Sequence, residues 1–474
     1  MKSKILKKFP NDIDPPLVKN SKGLYIILKN NKKYLDTTSG WTSYATLGLS
    51  NNKIINSMVK QMKKFAHVDF NVWKNEKIEI LANRLLKYAN NGIDRIYFGG
   101  TSGSDAIEAA MKLSYQIHHD SGNKNKISFI SRHQSFNGAT LHAMSVSDLP
   151  ILNLYNPLLP KNIFKISQHN QYKKCFFDIK KNNCKCKKSY KSCMGKMIHE
   201  NNQSYTDRCV NELEEKILEI GPKNVAAFVG ETQLGSLVGD VPPSKNYWKK
   251  ISKVCRKYNI HLILDEVYCG MGRSGKMLNY TWDNFSPDFV CMGKNMTSGH
   301  APLSAILTKS KFEKIIAKGS GRIQLGHTFQ GFSTGIAACL ELINIMEEKK
   351  LLKRITNKGQ YMMKILNEEL SDERYFGNVR GRGYGFSVEH NTKNNHMFAL
   401  NLQQVMRDKY KIIINSKWHR TSFVPSFLIS DKQIDLLIST FVDTFKSLSK
   451  KLNFDNNLRK NKISKSMGGI KIGK

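Results

Sequence analysis

Short apolar runs separated by stretches of helical period fill the middle of the chain. The runs are RIYF (95–98), KISFI (126–130), VAAFVG (225–230), HLILD (261–265), DFVCMG (288–293) and SAILT (304–308). Apolar runs of strand length alternating with amphipathic segments predict an α/β fold, a mostly parallel sheet flanked by helices on both faces. Between the runs, RCVNELEEKILEIG places Val210, Leu213, Ile217 and Ile220 on one helical stripe that Gly221 stops, and SKNYWKKISKVCRKY supplies the next crossover. The two ends read differently. NNKIINSMVKQMKKF carries Ile54, Met58, Met62 and Phe65 at helical spacing, and SDKQIDLLISTFVDTFKSL opens on a Ser430/Gln433 capping box with Ile434, Leu437, Ile438, Phe441 and Phe445 along one face. These ends predict a second, smaller layer, whereas residues 168–206, weakly periodic and poor in apolar side chains, predict an insertion or long loop.

At 474 residues and 40% apolar content the chain can bury a substantial core. No window approaches the roughly 18 uninterrupted apolar residues of a membrane span, and the basic start MKSKILKKFPNDIDPP has no apolar stretch of signal length, so a cytoplasmic protein is expected. Nine cysteines, an odd number, favour reduced thiols over a disulfide framework. CKCKKSYKSC (184–193) offers three thiolates, yet no CxxC pair or suitably spaced histidine completes a tetrahedral set, so no metal is expected. A net charge of +37 raises the question of nucleic acid. The lysines are spread along the whole chain, densest in 180–191 and 457–474, which reads as solvated surface and not as a nucleic-acid site.

Candidate chemistry starts at LILDEVYCGMGRSGKM (262–277), where GMGRSGK has the spacing of a phosphate-gripping P-loop. Such a loop needs a hydroxyl after its lysine and a helix behind it; here Met277 follows Lys276, and LNYTWDNFSPD has no helical period. The informative feature is the acidic pair at a strand end, the edge of a parallel sheet where ligands bind. Asp265 and Glu266 point in opposite directions, and the pair fits either a cofactor site or a structural cap or salt bridge. Lys294 ends the apolar run PDFVCMGK, where partial desolvation lowers an amine's pKa and makes it a nucleophile towards carbonyls. Upstream, GGTSGSDAIEAAMKL (99–113) is a glycine-rich turn opening a helix, with Ala106, Ala109, Ala110 and Leu113 available for close packing. It fits a phosphate at the helix N-terminus, and Ser102 and Asp105 equally fit a plain capping box.

A phosphate cradle, a carboxylate and an activated lysine at one sheet edge together point to pyridoxal phosphate. The joint pattern SGSDAIEAA, SFNGATLHAMSVS, LILDEVYCGMGRSGK, PDFVCMGKNMTSGHAPLSAIL and HTFQGFSTGIAA, from about Gly23 to about Leu448, resembles the class III (ω-amino-acid type) aminotransferases of the fold-type-I pyridoxal-phosphate enzymes. The resemblance implies a homodimer with shared active sites that moves an amino group from an amine or amino acid to a keto or aldehyde acceptor. An aminomutase, racemase or decarboxylating transaminase on the same scaffold is the alternative. It implies that Lys294 is the Schiff-base lysine and that Asp265 holds the ring nitrogen protonated. Gly103 and Ser104 would hold the phosphate with Thr328 of the neighbouring subunit; Phe136 and Val267 would cover the two ring faces. Gly138, after Phe136, would also be cofactor-binding, and Glu231 would lie beside the cofactor. The organisation implied is a small-domain segment (1–65), a large cofactor-binding domain (66–325) with the polar insertion, a C-terminal part of the small α+β domain (326–450) and a basic tail (451–474).

The chain departs from this pattern at four places. Asn137 replaces a common histidine after the stacked aromatic, and Tyr268 stands where many members carry a glutamine near the phenolic oxygen. Ser236 and Ser422 stand where a glutamate and an arginine form the switch that accommodates glutamate, so glutamate is not expected to be handled by that switch. Arg380 and Arg420 lie near in sequence but off the motif, and carry no assignment.

Overall fold

The structure, a computed structural model, describes residues 4–6, 14–172, 177–178, 183–184, 202–235, 237–392 and 396–451. Cys186, Cys193, Ser236 and the basic tail from 452 onward lie outside the described residues. The apolar runs of the middle of the chain form one seven-stranded sheet. Its strands in chain order are β1 (Arg95–Gly100), β2 (Ser128–Arg132), β3 (Ile163–Ile166), β4 (Val225–Glu231), β5 (His261–Asp265), β6 (Phe289–Met292) and β7 (Ser304–Thr308). In space they run β1-β7-β6-β5-β4-β2-β3. All neighbours pair in parallel except β7, which is antiparallel to both β6 and β1.

This topology brings the carboxyl ends of β1, β2, β4, β5 and β6 to one edge. Strands β4, β5 and β6 are buried along their whole length, as continuous apolar runs covered on both faces require. The helix Gly103–Asp120 packs against the sheet through buried Ala106 and Ala110, whose small side chains allow close approach. On the other face, the helix Tyr247–Lys257 buries Trp248, Ile251 and Cys255. The predicted crossover 210–220 is part of a longer helix, Asn202–Ile220, ended by Gly221 at φ +91. That helix takes in the last residues of the segment 168–206 expected as loop.

Two four-stranded sheets flank this unit. One joins Val18–Lys22, Tyr25–Leu28 and Lys33–Asp36 to Ile412–Ile413, so the two ends of the chain share a sheet; the other joins Phe376–Arg382, Gly385–His390, Asn415–Lys417 and Arg420–Phe423. The closing helix Asp431–Lys451 buries Ile434, Leu437, Ile438, Phe441 and Phe445, and its Ser430/Gln433 capping box is formed in both directions, with Ser430 N–H donating to Gln433 Oε1 at 3.0 Å and Gln433 N–H donating to Ser430 Oγ at 3.2 Å. The helix Asn52–Met62 corrects one detail of the predicted stripe: Met62 is 55% exposed and Gln61 is 1% exposed. Gln61 turns inward because its amide donates to the carbonyl of Phe65, which the end of the helix leaves unpaired.

The acidic pair at the end of β5 separates as the strand geometry requires. Asp265 faces the cavity described below, while Glu266, 1% exposed, accepts the backbone N–H groups of Asn279 (2.6 Å) and Tyr280 (2.6 Å) and the hydroxyl of Thr232 (3.2 Å). Glu266 thus anchors the segment after the glycine turn. That segment contains only the short 3-10 turn Asn279–Trp282, and Lys276 stacks 5.0 Å above the Trp282 ring, so no phosphate-binding helix follows the glycines. Replacing Glu266 by alanine strands two buried N–H groups and is expected to cost about 2–4 kcal/mol of stability. A urea-unfolding midpoint within error of the parent would show that the clamp is not needed.

Candidate active site

Eight of the nine residues singled out by the sequence line one cavity of about 560 Å³ at the carboxyl edge of the sheet: Gly103, Ser104, Phe136, Gly138, Glu231, Asp265, Val267 and Lys294. The ninth, Thr328, is exposed and lies in a separate surface hollow with Asp69, Asn71 and Gln330, its carbonyl 2.9 Å from His67 Nε2.

Each side of the cavity follows from local chemistry. The helix Gly103–Asp120 begins with a complete capping box: Ser102 Oγ accepts from Asp105 N–H (3.2 Å), and Asp105 Oδ2 accepts from the N–H groups of Thr101 (2.9 Å) and Ser102 (2.8 Å). The cap therefore exists, and it does not consume the anion site. The N–H groups of Gly103 and Ser104 have no partner among the described residues, and at a helix N-terminus they form an anion cradle. Gly103 has to be glycine: a Cβ there would lie 2.5 Å from Val267 Cγ1. Gly138, at φ +151, would place a Cβ 2.6 Å from that of Ala143 and 2.8 Å from Ser104 Oγ.

Asp265 ends β5 with its Oδ1 accepting the N–H of Val267 at 2.9 Å, its single side-chain hydrogen bond among the described residues. Burial pushes its carboxyl up to about 7, and the neighbouring Glu231 carboxylate adds to the rise, against the pull of that N–H and of Lys294. Glu231, at the end of β4, is also raised by burial, opposed chiefly by Arg132; its two oxygens take the N–H groups of Phe136 (3.3 Å) and Gly235 (2.9 Å). Lys294 follows β6 in a left-handed backbone conformation (φ +34), a strained geometry that aims it into the site. Burial lowers its pKa, partly offset by Asp265 and Glu231. A desolvated amine of this kind attacks carbonyls, a buried carboxylate calls for a cationic partner, and the helix start accepts an anion.

The departures have structural explanations. Asn137 spends its amide on the Val146 carbonyl (2.8 Å) and Ser135 Oγ (3.2 Å), holding the loop that presents Phe136. Tyr268 lines the cavity with its ring 5.9 Å from Lys294 Nζ and donates its hydroxyl to Asp240. Ser422 Oγ lies 2.9 Å from Ser387 Oγ, which in turn donates to Asp240 Oδ2 at 2.5 Å.

The sequence profile of the family described as Aminotransferase class-III matches residues 10–445. This chain belongs to that family. The class III chain is 33% identical over 380 residues to an aminotransferase of Gibberella zeae, covering 79% of this chain and 70% of that one. It is 28% identical over 455 residues to the vanillin aminotransferase of Capsicum chinense, covering 93% and 94%. Its fold is similar to that of the omega transaminase from Pseudomonas jessenii in complex with PMP, with a TM-score of 0.81 at 25% identity over 91% of this chain and 92% of that one. The protein is a fold-type-I, pyridoxal-phosphate-dependent aminotransferase that takes an amino donor and a keto acceptor. The mutase, racemase and decarboxylating alternatives find no support in these relatives.

Sequence reasoning missed three parts of this aminotransferase site. Arg132 closes β2 behind Glu231, donating to its carbonyl and lying 5.3 Å over the Trp248 ring; a charged residue ending an apolar strand was its signal. Tyr44 reaches the cavity from the segment Ser39–Ser43, which has four positive-φ residues and no periodicity to betray it. Asp240, fully buried, comes from a turn between strand and helix, where a lone aspartate looks like any turn residue. The tight Gly103–Val267 contact is expected to make Gly103→Ala bind added pyridoxal phosphate about 10-fold or more weakly. Absorbance titration of the cofactor-free protein measures this, and unchanged affinity would contradict the packing described.

Proposed function

We propose that pyridoxal phosphate is held with its phosphate on Gly103 and Ser104, its ring nitrogen against Asp265 and its carbonyl carbon at Lys294, and that Lys294 carries the proton in amino transfer. The observation that carries this reading is the convergence in one cavity of two unpaired N–H groups, a buried carboxyl raised to about 7 and a desolvated amine. These residues fit the three functional groups of the cofactor. When bound, pyridoxal phosphate supplies an electron sink for the charge left on a substrate carbon that has lost its proton.

Asp265, oriented by the Val267 N–H, keeps a proton on the ring nitrogen, because a carboxylate buried this deeply is stable only beside a cation. Lys294 Nζ would serve as the base that takes the proton from the substrate carbon and would deliver it to what had been the carbonyl carbon of the cofactor. Its lowered pKa increases the neutral fraction that such a base requires. Phe136 and Val267 supply the two faces of the slot, and Glu231 fixes Phe136 by accepting its N–H.

A homodimer with shared sites completes the reading. Its support is that Thr328 is exposed and apart from its own cavity, so a second copy can bring it to the phosphate. The domain division and the cytoplasmic setting belong to the same proposal. The five free, buried cysteines among the described residues are in keeping with a reducing compartment, and no described helix is long and apolar enough to cross a membrane. Glutamate is not handled by the family's usual switch, because Ser236 and Ser422 stand where that switch has its glutamate and arginine, and Ser422 is engaged with Ser387. The test is covalent labelling. Borohydride reduction of the yellow protein should attach the cofactor to the peptide containing Lys294 and nowhere else, and Lys294→Ala should bind cofactor without becoming labelled. Labelling at another lysine would overturn the assignment.

A further inference from the structure

Ser422 and Arg420 stand two positions apart on the strand Arg420–Phe423 and therefore share a face. Across the sheet, Ser387 pairs with Ser422, Glu389 with Arg420 and Arg380 with Ser387, so this face is a buried polar patch. Val238, Gly239 and Asp240 cover it. At Gly239 a Cβ would lie 2.4 Å from Arg380 Nη2 and 3.1 Å from Arg420 Cδ.

The two arginines are in different states. Arg380 is engaged at both terminal nitrogens, by Glu389, by the Val238 carbonyl at 2.9 Å and by Asn378 Oδ1 at 2.6 Å. Arg420 is only 4% exposed, yet its Nε and Nη1 have no hydrogen-bond partner among the described residues. Its guanidinium lies 5.0 Å over the Trp418 ring. A guanidinium with one face on an aromatic ring and donor nitrogens left unpaired is prepared for a carboxylate. Leaving such a cation buried and unpaired is costly. Asp240 exerts the largest attraction on Arg420, but its oxygens are already taken by the hydroxyls of Tyr268 and Ser387. Tyr268 lines the cavity beside Lys294, so one tyrosine and one aspartate separate the reacting amine from this free guanidinium.

On the reading that this cavity performs amino transfer, we propose that Arg420 anchors the carboxylate of acid substrates, both amino-acid donors and keto-acid acceptors. Tyr268 and Asp240 form the partition that moves to admit it. Asp240 is then the internal counter-charge that the substrate carboxylate replaces. The chain in this way accepts carboxylates without an arginine at position 422. Amines without a carboxylate use the cavity with the partition closed.

Two donor pairs that differ in the carboxylate test this in the first half-reaction, followed by the loss of cofactor absorbance: L-alanine with isopropylamine, and 4-aminobutanoate with butylamine. The readout is the ratio of kcat/KM for acid over amine. Arg420→Met should lower that ratio by about 100-fold and Arg420→Lys by about 10-fold, the scale of losing one side of a buried charge pair. Asp240→Asn should raise it severalfold, an opposite sign that misfolding does not produce. Calorimetric binding of propanoate, which cannot react, should weaken in parallel in Arg420→Met. An unchanged ratio in Arg420→Met, or an equal fall for acid and amine, overturns this proposal alone. A cofactor-loaded protein that reacts with none of the four donors overturns the amino-transfer reading and this proposal with it.

Discussion

Two carboxylates, Asp265 and Glu231, are buried at one edge of the sheet and line the same cavity as the Lys294 amine. The rest of the site depends on this local excess of acid. Burial strips water from all three groups and lifts the Asp265 carboxyl to about 7, with the neighbouring Glu231 carboxylate adding to the rise. The arrangement would be balanced by a guest with a cationic ring and an anionic tail, for which the N–H groups of Gly103 and Ser104, unpaired among the described residues, are the proposed seat. A protein that uses pyridoxal phosphate has thus prepared its site electrostatically before the cofactor enters.

The scaffold makes this arrangement possible through strand geometry. Consecutive residues at the end of β5 face opposite ways, so Asp265 can be given to the ligand while Glu266 is committed to the backbone of Asn279 and Tyr280. The order of the strands sets β4, β5 and β6 side by side, which places Glu231, Asp265 and Lys294 on adjacent carboxyl ends. Behind the wall formed by Tyr268, a second buried charge cluster joins the turn carrying Asp240 to the sheet that carries Arg380 and Arg420. The cavity and this charge cluster lie on different sheets and are in contact through Tyr268, which lines the first and donates to Asp240 of the second.

Much of the fold was legible because the central strands are buried on both faces and must be continuously apolar. All six apolar runs are strands, and the glycine-rich turn, the acidic strand end and the lysine stand where their chemistry implied. The edge strand Ile163–Ile166 was missed because it is short and only half-buried. The strand expected at Lys126 begins at Ser128; the Lys126 amine instead donates to the carbonyls of Pro222 and Val225, a buried use of lysine that polarity alone does not reveal. The flanking sheets were not legible as strands, since pieces such as Ile412–Ile413 are held by distant partners and carry too few residues for a period of two. The candidate site was legible wherever a residue ended a regular element. It was illegible where a residue came from an irregular turn, as Asp240 and Tyr44 do, because only tertiary packing gives those side chains a direction.

The charge balance between Asp265 and the cofactor is the centre of the proposed mechanism, and the protonation state of the bound ring nitrogen tests it most directly. Cofactor labelled with nitrogen-15 in the ring, bound to the intact protein at about pH 8, reports that state through its chemical shift. The expected result is a protonated nitrogen in the parent and a neutral one in Asp265→Asn. A neutral nitrogen in the parent, or a protonated one that survives the loss of Asp265, would contradict the role given to that carboxylate.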